Sequence, residues 1–176
     1  MKGLGQVFEG WEGYNTSVIH AIEPRSAEEL AFRLKPNLRS VGEIAAHIAL
    51  GRIEWFGRMS APRSLELVHE VMARGITEES LATDGKAICE WLERSWEMVD
   101  ATLAAYNIDD LEASFEHEYF GNVYAVSRQW TIWRIMAHDI HHGGQLSMML
   151  YAQGIEIPEL GDLGGHLTMP PIVRPA

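Results

Sequence analysis

Apolar side chains recur at helical spacing along four long segments of this chain, at about residues 4–22, 41–59, 85–106 and 128–153. In the second segment the apolar positions are three, four or seven residues apart and share one stripe of a helix: Val41, Ile44, Ile48, Trp55 and Met59. None of the seven prolines lies inside these segments, where a proline would remove a backbone hydrogen bond. The pattern therefore predicts four long helices.

Residues at the ends of these segments support the predicted boundaries. Ser40 is followed three residues later by Glu43, which is the spacing of a capping box. Ser127 is suited to cap the last helix, and Gly154 is suited to end it because glycine readily adopts the left-handed conformation.

The segments between these helices carry weaker signals. The stretch SAEELAFRL predicts a short separate piece, and residues 61–80 predict a loop with room for one short helix. Residues 107–126 contain the alternating stretch SFEHEYFGNVYAV, which favours either a small hairpin or an irregular loop. After Pro158 the chain is rich in glycine and proline, and we expect this tail to lie extended over the helices.

The predicted elements indicate an all-α protein, a four-helix bundle with long connections and an extended C-terminal tail. The length of 176 residues suits a single domain over 1–176 with a sizeable core. An apolar fraction of 47% and a charged fraction of 22% are ordinary for a globular protein.

The net charge and the cysteine content indicate which classes of partner and which cellular compartment to expect. The 25 acidic and 14 basic residues give a formal charge of −11, which argues against nucleic acid and anionic membranes as partners. Cys89 is the single cysteine, so no intrachain disulfide can form, as expected in a reducing cytosol. The chain shows neither a signal-peptide core nor the roughly 20 consecutive apolar residues of a membrane span. We therefore expect a cytoplasmic protein.

Histidines in the last predicted helix suggest a metal site. His138 and His142 are four residues apart, so they are displaced by about 40° around the helix axis and by about 6 Å along it. Two imidazoles placed in this way can bind one divalent ion. Gln145 shares their face, whereas His141 lies on its flank.

The third ligand should come from a facing helix, and His47 is the best candidate. It lies in the middle of an apolar helix, where an imidazole without a partner is costly. Glu54, seven residues further on, shares its face and is a candidate to orient a ligand or a metal-bound water. Each of these features alone also fits a structural reading, since buried histidines are usually hydrogen-bonded and helical histidine pairs occur by chance.

The segment HDIHH also resembles the zinc-protease pattern H-E-x-x-H. Asp139 stands where that pattern has glutamate, and its shorter side chain would reach a metal-bound water poorly. The extended pattern would require further glycine and histidine residues where this chain has Gln145 and Met148. The sequence therefore argues against a protease.

Two motifs together resemble the DinB-like (DNA-damage-inducible) metal-binding four-helix bundles. The first is SVGEIAAH, which ends at His47 and is followed by Trp55; the second is His138-x-x-x-His142-Gly-Gly-Gln145-Leu146. The resemblance covers nearly the whole chain, including the trailing Gly154 and Pro158. Gly143 is a departure, because many members carry a basic residue there.

The resemblance implies one divalent metal ion, zinc or nickel, held by His47, His138 and His142 with positions left open for water. Relatives with defined activities transfer small thiols such as bacillithiol to electrophiles or use mycothiol in isomerisation. It thus implies a metal-dependent thiol transferase with a small-molecule thiol and an electrophile as partners. A hydrolase using a metal-bound water and a non-catalytic metal-binding or ligand-binding protein remain alternatives. Because the last helix is apolar nearly all round and relatives often pair, we also expect a homodimer.

Overall fold

The computed structural model describes residues 3–167 and residue 173. Within them the chain forms seven α-helices: α1 Trp11–Ile22, α2 Ala27–Ala31, α3 Val41–Arg58, α4 Ser64–Arg74, α5 Glu78–Leu81, α6 Gly85–Ala105 and α7 Arg128–Tyr151. Two short 3-10 helices, Leu4–Gln6 and Asp109–Glu112, and two strands, β1 Ser114–Tyr119 and β2 Asn122–Ser127, complete the order.

Four long helices, α1, α3, α6 and α7, pack together as a bundle, which confirms the predicted all-α fold class. Helix α3 is central, because it contacts both α6 and α7 along its length while α1 closes the remaining side. The apolar stripes of these helices meet in one core whose largest fully buried apolar side chains include Ile22, Ile48, Phe56, Trp91, Leu92, Met98, Ile132, Ile135 and Leu146. Among the described residues, no helix has the length and apolar character needed to cross a bilayer.

The helix ends follow local chemistry. Ser40 and Glu43 form the predicted capping box at the start of α3, and the Ser127 hydroxyl accepts from the Trp130 amide at the start of α7. The first long helix is shorter than predicted. It begins at Trp11 because Gly10 adopts a positive φ of 101°, which separates α1 from the preceding 3-10 turn.

Residues 61–80 are more helical than predicted. They contain α4 and α5, where we expected a loop with room for one short helix. Helix α4 has its apolar side on the core through Leu67, and Gly75 ends it in the left-handed conformation. Helix α5 packs very closely on α3, since a Cβ atom on Gly42 would lie only 1.8 Å from the Ala82 carbonyl oxygen. Gly42 thereby brings the four-residue α5 against the side of α3 that carries His47.

The segment before α7 is a hairpin, which was one of its two predicted forms. Strands β1 and β2 pair antiparallel, with Tyr119 opposite Asn122 and His117 opposite Tyr124. The turn residues Phe120 and Gly121 both have positive φ, 49° and 73°, as a two-residue hairpin turn requires.

The C-terminal tail packs against the bundle, but its described part is not extended as predicted. Residues 158–165 form consecutive turns, with positive φ at Gly164 and Gly165. Leu160 is buried, and Glu159 contacts His20 of α1 at 2.6 Å. Glycines that adopt left-handed conformations allow the chain to fold back where an extended segment would leave the helices. Apart from residue 173, the tail beyond 167 lies outside the described residues.

Candidate metal centre

Three histidine side chains converge between α3 and α7. Nε2 of His47 and Nε2 of His138 are 3.0 Å apart, and one ring nitrogen from each of His47, His138 and His142 lies within 4.8 Å of the others. The ring centroids are 4.4–4.8 Å apart. The structure thus brings together the three residues that the sequence predicted as ligands.

Helix geometry explains this convergence. His138 and His142 are one turn apart on α7, and α7 packs along α3 so that His47 faces both. Gly51, one turn after His47, makes the close approach feasible, because a Cβ atom there would lie 2.9 Å from Cε1 of His138. A side chain at position 51 would therefore displace the His138 ring.

Hydrogen bonds on the outer nitrogens orient two of the rings. Nδ1 of His47 lies 2.7 Å from Oε1 of Glu78, and Nδ1 of His142 lies 2.7 Å from Oε1 of Gln145. Because the carboxylate oxygen of Glu78 and the amide oxygen of Gln145 can only accept, the Nδ1 atom of each histidine carries the proton. The Nε2 atom of each then presents a lone pair. This is the arrangement in which histidines bind metals.

The third ring, His138, lies beside the buried carboxylate of its neighbour Asp139. Nδ1 of His138 is 3.5 Å from Oδ1 of Asp139, and neither of these buried atoms has a hydrogen-bond partner among the described residues. The carboxylate therefore favours a proton on Nδ1 of His138. With protons so placed, the Nε2 lone pairs of His47 and His138 face each other, which is stable when a cation lies between them.

A network of buried polar side chains holds Asp139 in place. Its Oδ2 accepts from Nε of Arg52 and from Nε1 of Trp11, both at 2.8 Å. Nη1 of Arg52 donates to Oδ1 of Asn15 at 2.6 Å. Arg52 and Asp139 are both fully buried, so this ion pair links α3, α7 and α1 beneath the histidines. In sequence, Asp139 stood out only as the variant position of the protease pattern, and no local signal marked Arg52.

Burial keeps two of the three histidines neutral. Burial lowers the pKa of His142 to about 4, and it also lowers the pKa of His47 despite the opposing hydrogen bond to Glu78. Although burial raises the pKa of Glu78, its hydrogen bonds with Arg39 and His47 bring that pKa below the ordinary value. At neutral pH the imidazoles of His47 and His142 are therefore neutral, and the Glu78 carboxylate beside His47 is ionised.

The residues present fit one divalent ion. Three neutral imidazole nitrogens form the donor set of catalytic zinc sites, and two nitrogens that bind one tetrahedral ion at about 2.0–2.1 Å are about 3.3 Å apart. The separation of 3.0 Å between the two Nε2 atoms is close to that value. Three protein ligands would leave at least one position free for water or a substrate.

Glu54 is the predicted residue that the structure does not bring to the site. Its carboxylate is more than half exposed and pairs with Arg58 one turn further on at 2.6 Å. Glu78 from α5 contacts His47 instead. The sequence around Glu78 carried no signal for this role, because its position depends on how α5 packs against α3. Gln145 shares the face of the histidines, as its spacing predicted, and the structure places its Oε1 on the outer nitrogen of His142.

The unusual Gly143 has a packing reason. A Cβ atom there would lie 1.9 Å from the Tyr14 hydroxyl oxygen, which hydrogen-bonds to the backbone oxygen atoms of Asp139 and Ile140. Tyr14 therefore occupies the space that a larger residue at position 143 would need. Glycine at position 143, where the family pattern has a basic residue, is therefore explained by the packing of Tyr14 from α1. The change leaves the three histidines unaffected.

A cavity of about 360 Å³ opens beside His142. Its wall is mainly apolar, with Arg39 and Gln145 as polar groups; the remaining lining residues are Leu34, Leu38, Ile44, Met148 and Met149. A cavity of this size can take a small molecule next to the histidine cluster.

Known proteins resemble this chain in sequence pattern and in fold. Residues 16–146 match the model of the DinB superfamily. The crystal structure of a DinB-like protein from Bacillus cereus, at 2.01 Å resolution, has the same fold with a TM-score of 0.65 and 16% sequence identity. That likeness covers 86% of this chain and 93% of the other. No curated protein matches the chain. Because the family match extends over well more than half of its residues, this chain belongs to the DinB superfamily.

Proposed function

We propose that this protein is a metal-dependent enzyme that activates a small thiol for transfer to an electrophile. The observation that carries the proposal is the three-histidine cluster, whose ring nitrogens converge beside an apolar cavity. A purely structural metal site would be closed by a fourth protein ligand, whereas the described part of the chain supplies three to this cluster.

The chain's own residues have separate tasks in this proposal. His47, His138 and His142 hold the ion; imidazole ligands suit zinc, nickel, copper and iron alike, and the family resemblance favours zinc or nickel. When bound, the ion supplies the positive charge that lowers the pKa of a coordinated thiol and makes it a nucleophile at neutral pH. Glu78 and Gln145 fix the rings of His47 and His142.

The cavity beside His142 would hold the electrophile. Its apolar wall excludes water from the reacting atoms, and Gln145 offers a polar group next to the ligand cluster. The cosubstrate must supply the thiol, because Cys89 packs on the α1 side of α6, against the Ile19 carbonyl, and is buried.

We also propose a homodimer that forms through the outer face of α7. Trp133, Ile140 and Tyr151 are exposed apolar or aromatic side chains within about 20° of one another around this helix. Gly144 lies between them with open space above it, so a second helix can approach closely. Such a stripe on a long helix is typical of a protein–protein contact.

The first test is the metal content of tag-free protein, measured by mass spectrometry beside the variant with His47→Ala, His138→Ala and His142→Ala. We expect about one equivalent of zinc or nickel per chain in the parent and none in the variant. If neither protein binds zinc or nickel after reconstitution, the proposed metal centre is wrong.

A second test addresses the reaction. Loaded protein is incubated with a chromogenic electrophile, with and without bacillithiol, and conjugate formation is followed by absorbance. Thiol transfer predicts conjugation that requires both the thiol and the three histidines. Turnover of an ester without added thiol would instead indicate hydrolysis, and the absence of both activities in metal-loaded protein would indicate a binding protein.

A further inference from the structure

A second cavity, of about 520 Å³, lies between the β-hairpin and the helices α3 and α7. It is separate from the cavity beside His142 and shares no lining residue with it. Its volume is in the range of small-molecule sites. Neither the histidine cluster nor the proposed reaction accounts for it.

Aromatic rings form the floor and walls of this cavity. Trp55 of α3 and Trp130 of α7 have ring centroids 5.6 Å apart, and His117 of β1 meets Trp55 edge-on at 5.1 Å. Tyr119 and Tyr124 of the hairpin add two more rings to the lining. Trp130 and Tyr124 are nearly half exposed, and with the other rings of the lining they form a contiguous aromatic patch, which is typical of a ligand or partner site.

The hairpin presents these rings because of its alternation. His117 and Tyr119 are two residues apart on β1 and therefore lie on the same face, and Tyr124 is directly opposite His117 on β2. The acidic residues Glu116 and Glu118 occupy the alternate positions and fall on the other face. The strand pattern thus separates an aromatic face over the cavity from an acidic face away from it.

Arg134 is the charged group of the cavity. Its guanidinium carbon lies 4.9 Å from the Trp55 ring centroid and 5.3 Å from that of Trp130. Among the described residues Arg134 forms no ion pair with a carboxylate, and no acidic residue lines the cavity. In a chain with a net charge of −11, a cavity with one cation and no carboxylate selects for anions.

We propose that this cavity binds a planar aromatic carboxylate. The ring of the ligand would lie against Trp55 and Trp130, where aromatic contacts are favourable in stacked or edge-on geometry. The guanidinium of Arg134 would bind the carboxylate, because a guanidinium that rests on an aromatic face keeps its N–H donors in plane for two parallel hydrogen bonds.

The cavity is lined by none of the three histidines of the metal centre. Trp55 is eight residues after His47 on α3, about 12 Å along the helix, and Arg134 is one turn before His138 on α7. The proposed contacts to the carboxylate therefore involve no metal ligand. Thiol transfer is tested on metal-loaded protein, whereas binding of the carboxylate is tested without metal. A failure of one test therefore does not imply a failure of the other.

The test is calorimetric titration of 2-naphthoate into metal-free protein in the presence of a chelator. The neutral analogue 2-naphthylmethanol, which keeps the ring system and lacks the charge, is titrated in parallel. We expect one naphthoate per chain and at least tenfold weaker binding of the alcohol. Arg134→Met should remove this preference for the anion, and Trp130→Ala should weaken both ligands.

Matched variants separate a built site from general stickiness. Arg63→Met removes a cation remote from the cavity, which pairs with Glu97, and Phe120→Ala removes an exposed ring at the tip of the hairpin. Both should bind naphthoate like the parent, and circular dichroism should show that all four variants fold.

Two results would overturn the proposal. One is naphthoate binding that is absent or that is equal in the parent and in folded Arg134→Met and Trp130→Ala. The other is a parent dimer that Trp130→Ala converts to a monomer, together with no binding of naphthoate, because the aromatic cavity would then be a contact between two copies of the chain.

Discussion

At the scale of single residues, the partners of the outer ring nitrogens decide how the three histidines bind a metal ion. Glu78 and Gln145 hold two of the rings by their outer nitrogens, and Asp139 lies beside the third. Partners of this kind select the tautomer that binds metal and restrict the rotation of the ring. The affinity for metal should therefore depend on residues that never touch the ion.

Two glutamates test this dependence. Sequence spacing placed Glu54 near the ligands, whereas in the structure Glu78 contacts His47. Glu78→Ala should weaken zinc binding about 10- to 100-fold, because His47 loses the acceptor for its Nδ1 proton. Glu54→Ala is the matched control and should bind zinc like the parent, since Glu54 pairs with Arg58. Competition with a chromogenic chelator measures both. Weaker binding by the Glu54 variant alone would show that the assigned contact is wrong.

The single cysteine gives a second prediction at this scale. Burial, together with the nearby carboxylates of Glu23 and Glu93, raises the pKa of Cys89 to about 12. The thiolate is the reactive form, so at pH 8 only about one molecule in 10⁴ would carry it. Iodoacetamide should therefore label folded protein at least about 100-fold more slowly than protein in urea. Equally fast labelling of the folded protein would make Cys89 a candidate carrier of the transferred thiol.

Single residues also show where sequence reasoning succeeds. The convergence of His47, His138 and His142 could be predicted because helical spacing fixes which residues share a face and because two motifs occurred together. Glu78 could not be predicted, since it reaches the site through the packing of α5 on Gly42. Gly51 was missed for a similar reason: its role is the space that it leaves for His138.

At the scale of elements, the buried pair of Arg52 and Asp139 joins the two helices that carry the ligands. Arg52 of α3 and Asp139 of α7 are both fully buried, and Trp11 of α1 donates to the same carboxylate oxygen. An ion pair in this setting is costly to break because the remaining charge stays buried without its partner. The position of His138 beside His47 thus depends on a contact one layer below the site.

Arg52→Met should lower the free energy of unfolding by about 3–5 kcal/mol, because it leaves the Asp139 carboxylate buried without its cation. Arg63→Met removes an exposed arginine that pairs with Glu97 and should change the stability by less than about 1 kcal/mol. Urea denaturation followed by circular dichroism measures both changes. A cost no greater than that of the control would show that the buried pair does not hold α3 to α7.

The elements themselves were predictable to different degrees. The boundaries of α3 and α7 followed from capping residues and long apolar stripes, which are local signals. Helices α4 and α5 were underestimated, because their short apolar faces become informative only against the core they cover. The hairpin remained one of two alternatives, because its short alternating stretch is largely exposed and gains little from burial, so the pattern alone does not exclude an irregular loop.

At the scale of the whole molecule, the exposed outer face of α7 is the reason to expect a dimer. The side chains at positions 133, 140 and 151 form an exposed stripe along a helix that otherwise packs on the bundle. Such a surface on a free monomer is unfavourable in water. Two copies related by a two-fold axis would bury it on both chains at once.

Ile140→Glu should therefore convert a dimer to a monomer, because it places a charge at the centre of that stripe. Met72→Glu, on the exposed side of α4, is the control and should leave the assembly unchanged. Light scattering coupled to size-exclusion chromatography gives the mass in each case. A monomeric parent protein, or a dimer that tolerates Ile140→Glu, would contradict the predicted interface.

The separation of the ligands along the chain has a consequence for folding. His47 and His138 are 91 residues apart, whereas His138 and His142 lie on a single turn of one helix. A partly folded chain can offer an ion only that pair, so the complete set of ligands exists once α7 has docked on α3. Binding of the ion to all three histidines would then report the docking of α7 on α3. The ion would stabilise the native state because it binds three ligands there and only two in a partly folded chain. The melting temperature should therefore rise with the concentration of free metal.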